Sequence, residues 1–291
     1  MRVGVIGATG LIGRHVAREL TERGHGVRAF GRSSQKLPAI VADERIALAA
    51  GNDWRRLLEG LDGVVLAIGA VSGPDMMEAH RTLPDLVADA ASGLGITRLV
   101  FVSAIGAAPD APTLFLRSKS EGETAITSRR LPGWTILRPS LVYGPGGRSM
   151  EFLARLAALP ARPRIASGPI RPIAVDDLAR AVAALLEGGQ DLPAAIDAVG
   201  PERMSIDDYI DALGKRIGSR PIVTARLPGP LLSLAGRAAD IVGPTLLSSD
   251  FLLMLREGAD GDPEALPRYC GVRPSGLAEG LARLSVPRRR R

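Results

Sequence analysis

The chain has 291 residues, of which 46% are hydrophobic and 3% aromatic, so aliphatic side chains must build most of its core. Its one cysteine, Cys270, excludes an intrachain disulfide framework and favours the reducing cytoplasm. Four of the charges behind the net +6 come from Arg288 to Arg291, which we expect to form a solvated tail rather than a nucleic-acid site.

Short apolar runs alternate with helical patterns along the first half of the chain. Strands are predicted at Val3–Ile6, Val27–Phe30, Ile46–Leu48, Val64–Ile68, Leu99–Val102 and Thr135–Leu137. Helices are predicted between them, at Leu11–Arg23, Trp54–Glu59, Met76–Ser92 and Ser118–Arg130. Continuous apolar strands separated by helices predict a parallel sheet covered on both faces, in the doubly wound α/β arrangement of a Rossmann fold.

This alternation ends near residue 145. A further helix is predicted at Asp176–Glu187 and a returning edge strand near 195–199, with mostly helix beyond Pro201. We therefore expect residues 1–165 to form the sheet domain and residues 166–291 to form a smaller, mainly helical C-terminal lobe.

No segment of the chain is predicted to cross a membrane. The longest apolar stretch, Leu227–Leu247, is interrupted by three prolines, an arginine and an aspartate, whereas a spanning helix needs ~18 consecutive apolar residues. We interpret it as a packed amphipathic helix or an interfacial segment, which leaves peripheral contact with a membrane open. The first residues run straight into a strand and show no pattern of a secretory signal peptide.

A glycine-rich turn joins the first predicted strand to the first helix. Gly7 permits the tight turn, Gly10 lets the backbone approach a pyrophosphate, and Gly13 lets the helix pack close to the strand. The helix N-terminus offers backbone N–H groups and the positive end of a dipole to phosphate. The sequence therefore predicts a dinucleotide site, to which the intervening residues contribute: Thr9, Leu11 and Ile12.

The end of the second strand indicates which dinucleotide binds. A Rossmann site that prefers NAD places an acidic residue there, which holds the ribose 2′-hydroxyl. No Asp or Glu occurs from Arg23 to Ala42, and Gly31 stands where the acid would be. Arg32 and Ser33 follow, and a guanidinium beside a hydroxyl suits a 2′-phosphate. We predict NADP in preference to NAD; the alternative is that Arg32 is only a surface charge.

The spacing G-x-x-G-x-x-G resembles that of the extended and atypical branches of the short-chain dehydrogenase/reductase superfamily. Four further motifs resemble these branches: Ala67-Ile68-Gly69, Ser103, Arg138–Gly146 and Ile173–Ala179. Within the branches the chain is similar to epimerase/dehydratase homologues and to the nucleotide-binding accessory subunit of respiratory complex I. The resemblance covers residues 1–200, and it implies that further residues contact the cofactor: Ala67, Ile68, Gly69, Ser103, Lys119 and Pro139.

The resemblance also implies a catalytic set. Ser103 matches the family's serine, and Lys119 matches the lysine that holds the nicotinamide ribose and assists a tyrosine four residues earlier. That earlier position holds Phe115, which has no proton to transfer, so the usual proton donor is missing. Tyr143 is the candidate substitute. The alternative for Lys119 is an exposed i, i+4 pair with Glu123.

Two functions remain open on the sequence alone. The first is an NADP-dependent oxidoreductase that acts on a small carbonyl or quinone-like substrate. The second is a non-catalytic NADP(H)-binding protein, either a redox sensor or a structural subunit of a larger assembly, which the missing tyrosine favours. The three histidines are spaced for no metal site. We expect a small-molecule substrate and no nucleic acid, and the oligomeric state is left open.

Overall fold

The structure, a computed structural model of the chain, describes residues 1–69, 76–129, 133–164, 168–189, 191–219, 223–226 and 249–284. Two parts that the sequence analysis singled out lie outside these ranges. They are the apolar stretch Leu227–Leu247 and the arginine tail Arg288–Arg291. Among the described residues, no helix has both the length and the apolar character needed to cross a membrane.

Seven parallel strands form the central sheet. They are β1 (Arg2–Ile6), β2 (Gly26–Gly31), β3 (Glu44–Ala47), β4 (Gly63–Leu66), β5 (Arg98–Val102), β6 (Trp134–Pro139) and β10 (Ala195–Ala198). Their order across the sheet is β10-β6-β5-β4-β1-β2-β3, which confirms the predicted edge strand. The strand order reverses between β1 and β4, and ligands of such folds bind in the crevice at that point.

Helices cover both faces of this sheet, which confirms the doubly wound prediction. They are α1 (Leu11–Glu22) and α6 (Val175–Glu187) on one face, and α2 (Trp54–Leu58), α3 (Leu83–Gly93) and α4 (Leu114–Ser128) on the other. Each layer encloses its own apolar core. Because β1, β4, β5 and β6 are buried on both faces over most of their length, they carry continuous apolar runs, and these runs made them recognisable in the sequence.

One helix begins differently from the prediction, and another contains an irregular turn. Helix α4 starts at Leu114 rather than Ser118, because the Thr113 hydroxyl caps it by accepting a hydrogen bond from a backbone N–H of the first turn. Its predicted end, Arg130, lies outside the described residues. The helix predicted before β5 is helical from Met76, as expected, and contains a π-helical turn, Glu78–Thr82, which leads into α3. Such turns are frequent at functional sites.

The remaining elements form the C-terminal lobe and the segment that runs from it back to the central sheet. The helices are α5 (Arg148–Ala157), α7 (Ile206–Ile217), α8 (Ser249–Glu257), α9 (Ala265–Cys270) and α10 (Leu277–Arg283). Parallel strand pairs join β7 (Val142–Tyr143) to β9 (Ile173–Ala174) and β8 (Ala161–Arg164) to β11 (Val223–Arg226). Helix α5 packs with α7 in this lobe, whereas α6 and β10 belong to the sheet layers. The division of the chain after residue 165 stays a prediction.

Side-chain hydrogen bonds fasten the last described residues to the sheet domain. The Ser140 hydroxyl donates to Ala259 O at 2.7 Å, and the Asp177 carboxylate accepts the N–H of Ser275 at 2.6 Å. Helix α9 packs against α6 and β10 and carries the one cysteine. Burial raises the pKa of the Cys270 thiol to about 12, so it is a packing group rather than a reactive nucleophile.

Helix α1 approaches β1 so closely that Gly13 has no room for a side chain. A Cβ there would lie 2.2 Å from Gly7 O. We expect Gly13→Ala to lower the free energy of unfolding by more than about 1 kcal/mol, because overpacking outweighs the gain that alanine gives a helix. Urea unfolding measures the change. Gly189→Ala is the control, since a Cβ there meets no atom within 4 Å. Equal stability of Gly13→Ala and wild type would contradict the close packing.

Candidate functional site

The glycine-rich turn lies at the carboxyl end of β1, beside β4. Gly7 has a φ of +89°, and a Cβ there would lie 2.6 Å from Ala67 O, so only glycine fits. The backbone N–H groups of Gly7 and Ala8 both donate to Phe30 O at 3.0 Å, which fastens the turn to β2. A Cβ at Gly10 would lie 3.2 Å from Gly7 O. The turn is therefore a narrow cradle with bare backbone on its surface.

The N-terminus of α1 presents backbone donors to this cradle. Gly10 is the N-cap and has no side chain that could accept a hydrogen bond from the first turn. Within the described part of the chain, the N–H groups of Leu11, Ile12 and Gly13 make no hydrogen bond. Free N–H groups at the positive end of a helix dipole suit a phosphate. The turn, which Thr9 completes, therefore fits a dinucleotide pyrophosphate.

The end of β2 lies against the same turn. A Cβ at Gly31 would lie 2.8 Å from Thr9 Cγ2 and 3.2 Å from Leu37 Cδ2. A side chain at the position where an acid would hold a ribose 2′-hydroxyl would therefore require the side chains of Thr9 and Leu37 to shift. Arg32, the next residue, is exposed, and Ser33 is half-buried. Their binding of a 2′-phosphate stays a prediction.

Lys119 is buried at the carboxyl ends of β4 and β5. Its side chain extends from α4, is 2% exposed, and donates from Nζ to Ile68 O at 2.8 Å and to Val102 O at 2.9 Å. Nζ also lies 5.2 Å from the ring centroid of Phe101, which attracts a cation. The interpretation of Lys119 and Glu123 as an exposed pair is therefore wrong, because tertiary contacts bury both side chains.

Glu123 has Arg138 as its hydrogen-bonded partner. Arg138 Nε donates to Glu123 Oε1 at 2.8 Å, and Arg138 Nη2 donates to the other carboxylate oxygen. Burial lowers the pKa of Lys119 to about 7, although the nearby charge of Glu123 favours the protonated amine. Lys119 therefore exchanges its proton near neutral pH.

Ser103 and Phe115 flank Lys119. Ser103 follows Val102, whose carbonyl accepts from Lys119, and the Ser103 hydroxyl is buried with no hydrogen-bond partner among the described residues. Phe115 is half-buried and precedes Lys119 by one turn of α4, on the same helix face. The fold thus brings Ser103, Phe115 and Lys119 to one edge of the sheet. Their roles with cofactor and substrate stay predictions.

The sequence analysis missed His80, which also lies beside α4. His80 is fully buried in the π-helical turn, and its ring meets the Phe115 ring edge-on, with 5.4 Å between centroids. Its Nδ1 lies 2.9 Å from Ser118 Oγ. Burial and the charge of Lys119 lower the pKa of His80 to about 3, so the imidazole is neutral at physiological pH. A single histidine within a helix gives no sequence signal of such a contact.

Tyr143 is not part of this group. Its ring is fully buried in the C-terminal lobe, 6.2 Å from the Tyr209 ring between centroids, and its hydroxyl oxygen lies 2.0 Å from where a Cβ on Gly280 would be. Burial raises the pKa of Tyr143 and makes it a poorer acid. Proton transfer from Tyr143 stays a prediction, and it would have to start from this enclosed hydroxyl. Pro139 ends β6, and its carbonyl accepts from Ile105 N at 3.0 Å, which ties the loop after β5 to this edge.

Comparisons with known proteins also indicate a dinucleotide-binding protein. The profile of a family described as NAD(P)H-binding matches residues 7–188, from the glycine turn to the end of α6. The (4-alkanoyl-5-oxo-2,5-dihydrofuran-3-yl)methyl phosphate reductase of Streptomyces griseus is 29% identical over 228 residues, which are 75% of this chain and 74% of that protein. The mitochondrial NADH dehydrogenase (ubiquinone) 1 alpha subcomplex subunit 9 of Arabidopsis thaliana is 26% identical over 258 residues, 82% of this chain and 63% of that protein.

A solved structure extends the likeness to the whole fold. UDP-glucuronic acid 4-epimerase from Bacillus cereus, in complex with UDP-glucuronic acid and NAD, superimposes with a TM-score of 0.74 at 18% identity. The alignment covers 97% of this chain and 97% of the epimerase. At this identity the likeness shows the fold alone. The family match confirms the expected NAD(P)-binding family, and the Arabidopsis relative confirms the similarity to the complex I subunit. The epimerase shows that the two proteins share a fold.

The buried amine of Lys119 should make the stability of the protein depend on pH. In the unfolded chain this lysine is protonated up to about pH 10.5, but in the folded chain only up to about pH 7. The unfolded state therefore binds more protons in that window, and the contribution of Lys119 to stability rises with pH between these values. The free energy of unfolding of Lys119→Met, taken relative to that of wild type, should therefore be higher at pH 7 than at pH 9.5 by more than about 1 kcal/mol.

Urea titrations of both proteins at the two pH values measure this difference. Lys215→Met is the matched control, because it removes an amine that is exposed on α7. The free energy of unfolding of this control, relative to that of wild type, should be the same at the two pH values. If the difference in free energy of unfolding between Lys119→Met and wild type is the same at both pH values, the pKa of Lys119 is not near 7.

Proposed function

This chain belongs to the NAD(P)H-binding family, and from that premise we propose that it is an NADP-dependent reductase of small conjugated carbonyl or quinone-like acceptors. One observation carries the proposal. A buried lysine and a serine lie at the carboxyl edge of the sheet, with the apolar ring of Phe115 where an acidic hydroxyl would serve an ordinary ketone reductase. The edge is equipped to orient a cofactor and an acceptor, and it is poorly equipped to donate a proton.

Each group around the crevice has a role in binding. The N–H groups of Leu11, Ile12 and Gly13 would hold the pyrophosphate, and Lys119 would hold the nicotinamide ribose. Small or apolar residues would line the adenosine and nicotinamide: Ala67, Ile68, Gly69 and Pro139. Bound NADPH would supply a hydride. Ser103, whose hydroxyl has no partner among the described residues, would orient an acceptor oxygen.

The fate of the proton decides which acceptors suit this site. Reduction adds a hydride, which carries two electrons, and one proton to the acceptor. In a conjugated acceptor the negative charge spreads onto an oxygen that water can protonate afterwards. In an isolated ketone the charge stays on one oxygen, and a positioned acid contributes ~10²–10⁴-fold to the rate. Phe115 cannot supply that acid, so the chain suits the conjugated class. The name of the Streptomyces relative, a reductase of an oxo-dihydrofuran, supports a carbonyl-bearing acceptor.

The preference for NADP is supported by the end of β2. Gly31 carries no ribose-binding carboxylate and is packed against Thr9, and Arg32 and Ser33 follow it directly in the chain. The guanidinium of arginine is charged at every physiological pH and recognises phosphate through paired N–H donors. The cytoplasm, where a cysteine-poor reductase would find NADPH, stays the predicted location.

The second candidate is a non-catalytic NADP(H)-binding subunit of a larger assembly. Similarity to the complex I subunit over 82% of this chain supports it, as does the apolar residue at the proton-donor position. Both candidates require dinucleotide binding, so turnover distinguishes them. The subunit would bind NADPH and reduce neither a quinone nor a conjugated carbonyl.

The cofactor preference can be measured by calorimetry with NADPH and NADH. NADPH should bind at least ~10-fold more tightly, a difference of ~1.4 kcal/mol, and Arg32→Ala should remove most of it. Lys36→Ala removes a positive charge from the same loop and should leave the preference in place. Equal affinities of the wild type for the two dinucleotides would refute the NADP assignment.

The missing acid can be restored by Phe115→Tyr. If the rest of the site is complete, this variant should reduce a simple ketone at least ~10-fold faster than wild type, since a phenol then stands beside Lys119. Phe115→Leu controls for altered packing and should give no increase. The measurement is NADPH oxidation with cyclohexanone and, in parallel, with menadione. Wild-type turnover of cyclohexanone at an ordinary enzymatic rate would show that another group already donates the proton.

A further inference from the structure

We propose that His80 is a positioning residue that holds the Phe115 ring as a flat apolar wall, so that the site selects planar ring acceptors. The inference rests on the proposed reductase function, and it adds a shape requirement and the residue that imposes it. The argument uses the contacts of His80 with three positions of α4: Phe115, Ser118 and Gly122.

The backbone of the π-helical turn is locked against α4. A Cβ on Gly122 would lie 2.2 Å from His80 O, so the helix and the turn touch through bare backbone. A Cβ there would also lie 2.8 Å from the Phe101 ring, which closes the other side. The turn that carries His80 is therefore in direct backbone contact with α4, and this packing places the imidazole beside the first turns of the helix.

A hydrogen bond then fixes the orientation of the imidazole. The Ser118 hydroxyl donates to Phe115 O at 2.9 Å, and a hydroxyl has only one proton. Ser118 Oγ must therefore accept from the Nδ1–H of His80, at 2.9 Å. This assignment makes Nδ1 the protonated nitrogen of the neutral ring. It also links the imidazole, the serine and the first turn of α4 in one chain of bonds.

The fixed imidazole in turn fixes the Phe115 ring. The two rings meet at 81° with 5.4 Å between centroids, the edge-to-face arrangement that aromatic pairs prefer. Phe115 remains half-exposed and lies on the same face of α4 as Lys119, one turn earlier. The exposed part of the ring therefore borders the place where the nicotinamide and the acceptor would meet. A rigid flat ring there favours a planar partner, because stacking requires two flat surfaces.

The test measures binding of menadione to the NADP⁺-loaded protein by calorimetry, which needs no turnover. His80→Asn is the informative variant, since the Asn amide nitrogen takes the place of Nδ1 and keeps a donor for Ser118 but removes the ring that holds Phe115. We expect it to weaken menadione binding ~10-fold and to leave the Kd of NADP⁺ within about twofold. Phe115→Leu should cause a similar loss, and the double variant no further loss, since the two residues act as one unit.

Ser118→Ala provides a second variant that leaves both rings in place and removes only the hydrogen bond that orients His80. It should weaken menadione binding at least ~3-fold. The proposal is overturned if His80→Asn and Ser118→Ala bind menadione as wild type does, if they lose NADP⁺ affinity to the same extent, or if wild type binds no menadione. Menadione binding without reduction would refute the reductase function instead, and turnover unaffected by His80→Asn would refute only the role of His80.

Discussion

A Cβ at Gly13 would lie 2.2 Å from Gly7 O, so α1 can begin directly beside the turn after β1 only because no side chain stands between them. Three further features surround this junction. The first amides of α1 make no hydrogen bond among the described residues, the turn is held to β2 through Phe30 O, and Gly31 is packed against Thr9. The candidate pyrophosphate site is therefore built around a closely packed meeting of β1, β2 and α1.

The second determinant of the site is a buried charge. Lys119 is enclosed by the ends of β4 and β5, and its amine is satisfied by two backbone carbonyls and the Phe101 ring. Desolvation of an ammonium is costly, and the low pKa of about 7 reflects that cost. An apolar residue of similar size would avoid this penalty, so the buried amine favours the prediction that Lys119 is a functional residue.

Helix α4 connects the parts of the site. It carries Phe115 on one turn and Ser118 and Lys119 on the next, it contacts the π-helical turn through Gly122, and it reaches β6 through the pair of Glu123 with Arg138. A shift of α4 would therefore move the amine, the aromatic ring and the imidazole together. The lobe is fastened separately, through bonds such as that of Ser140 with Ala259, and Tyr143 is buried within it.

The sequence by itself determined the parallel sheet, the glycine turn and the family, because apolar runs, glycine spacing and flanking residues are local patterns that a fold of this kind imposes directly. It also located Ser103, Phe115 and Lys119, since each follows or precedes a recognisable element by a fixed number of residues. Contacts between distant segments have no such local signature. The burial of Lys119, the meeting of His80 with Phe115, and the enclosure of Tyr143 against α10 were decided only by tertiary packing, which brings together residues whose spacing along the chain carries no information.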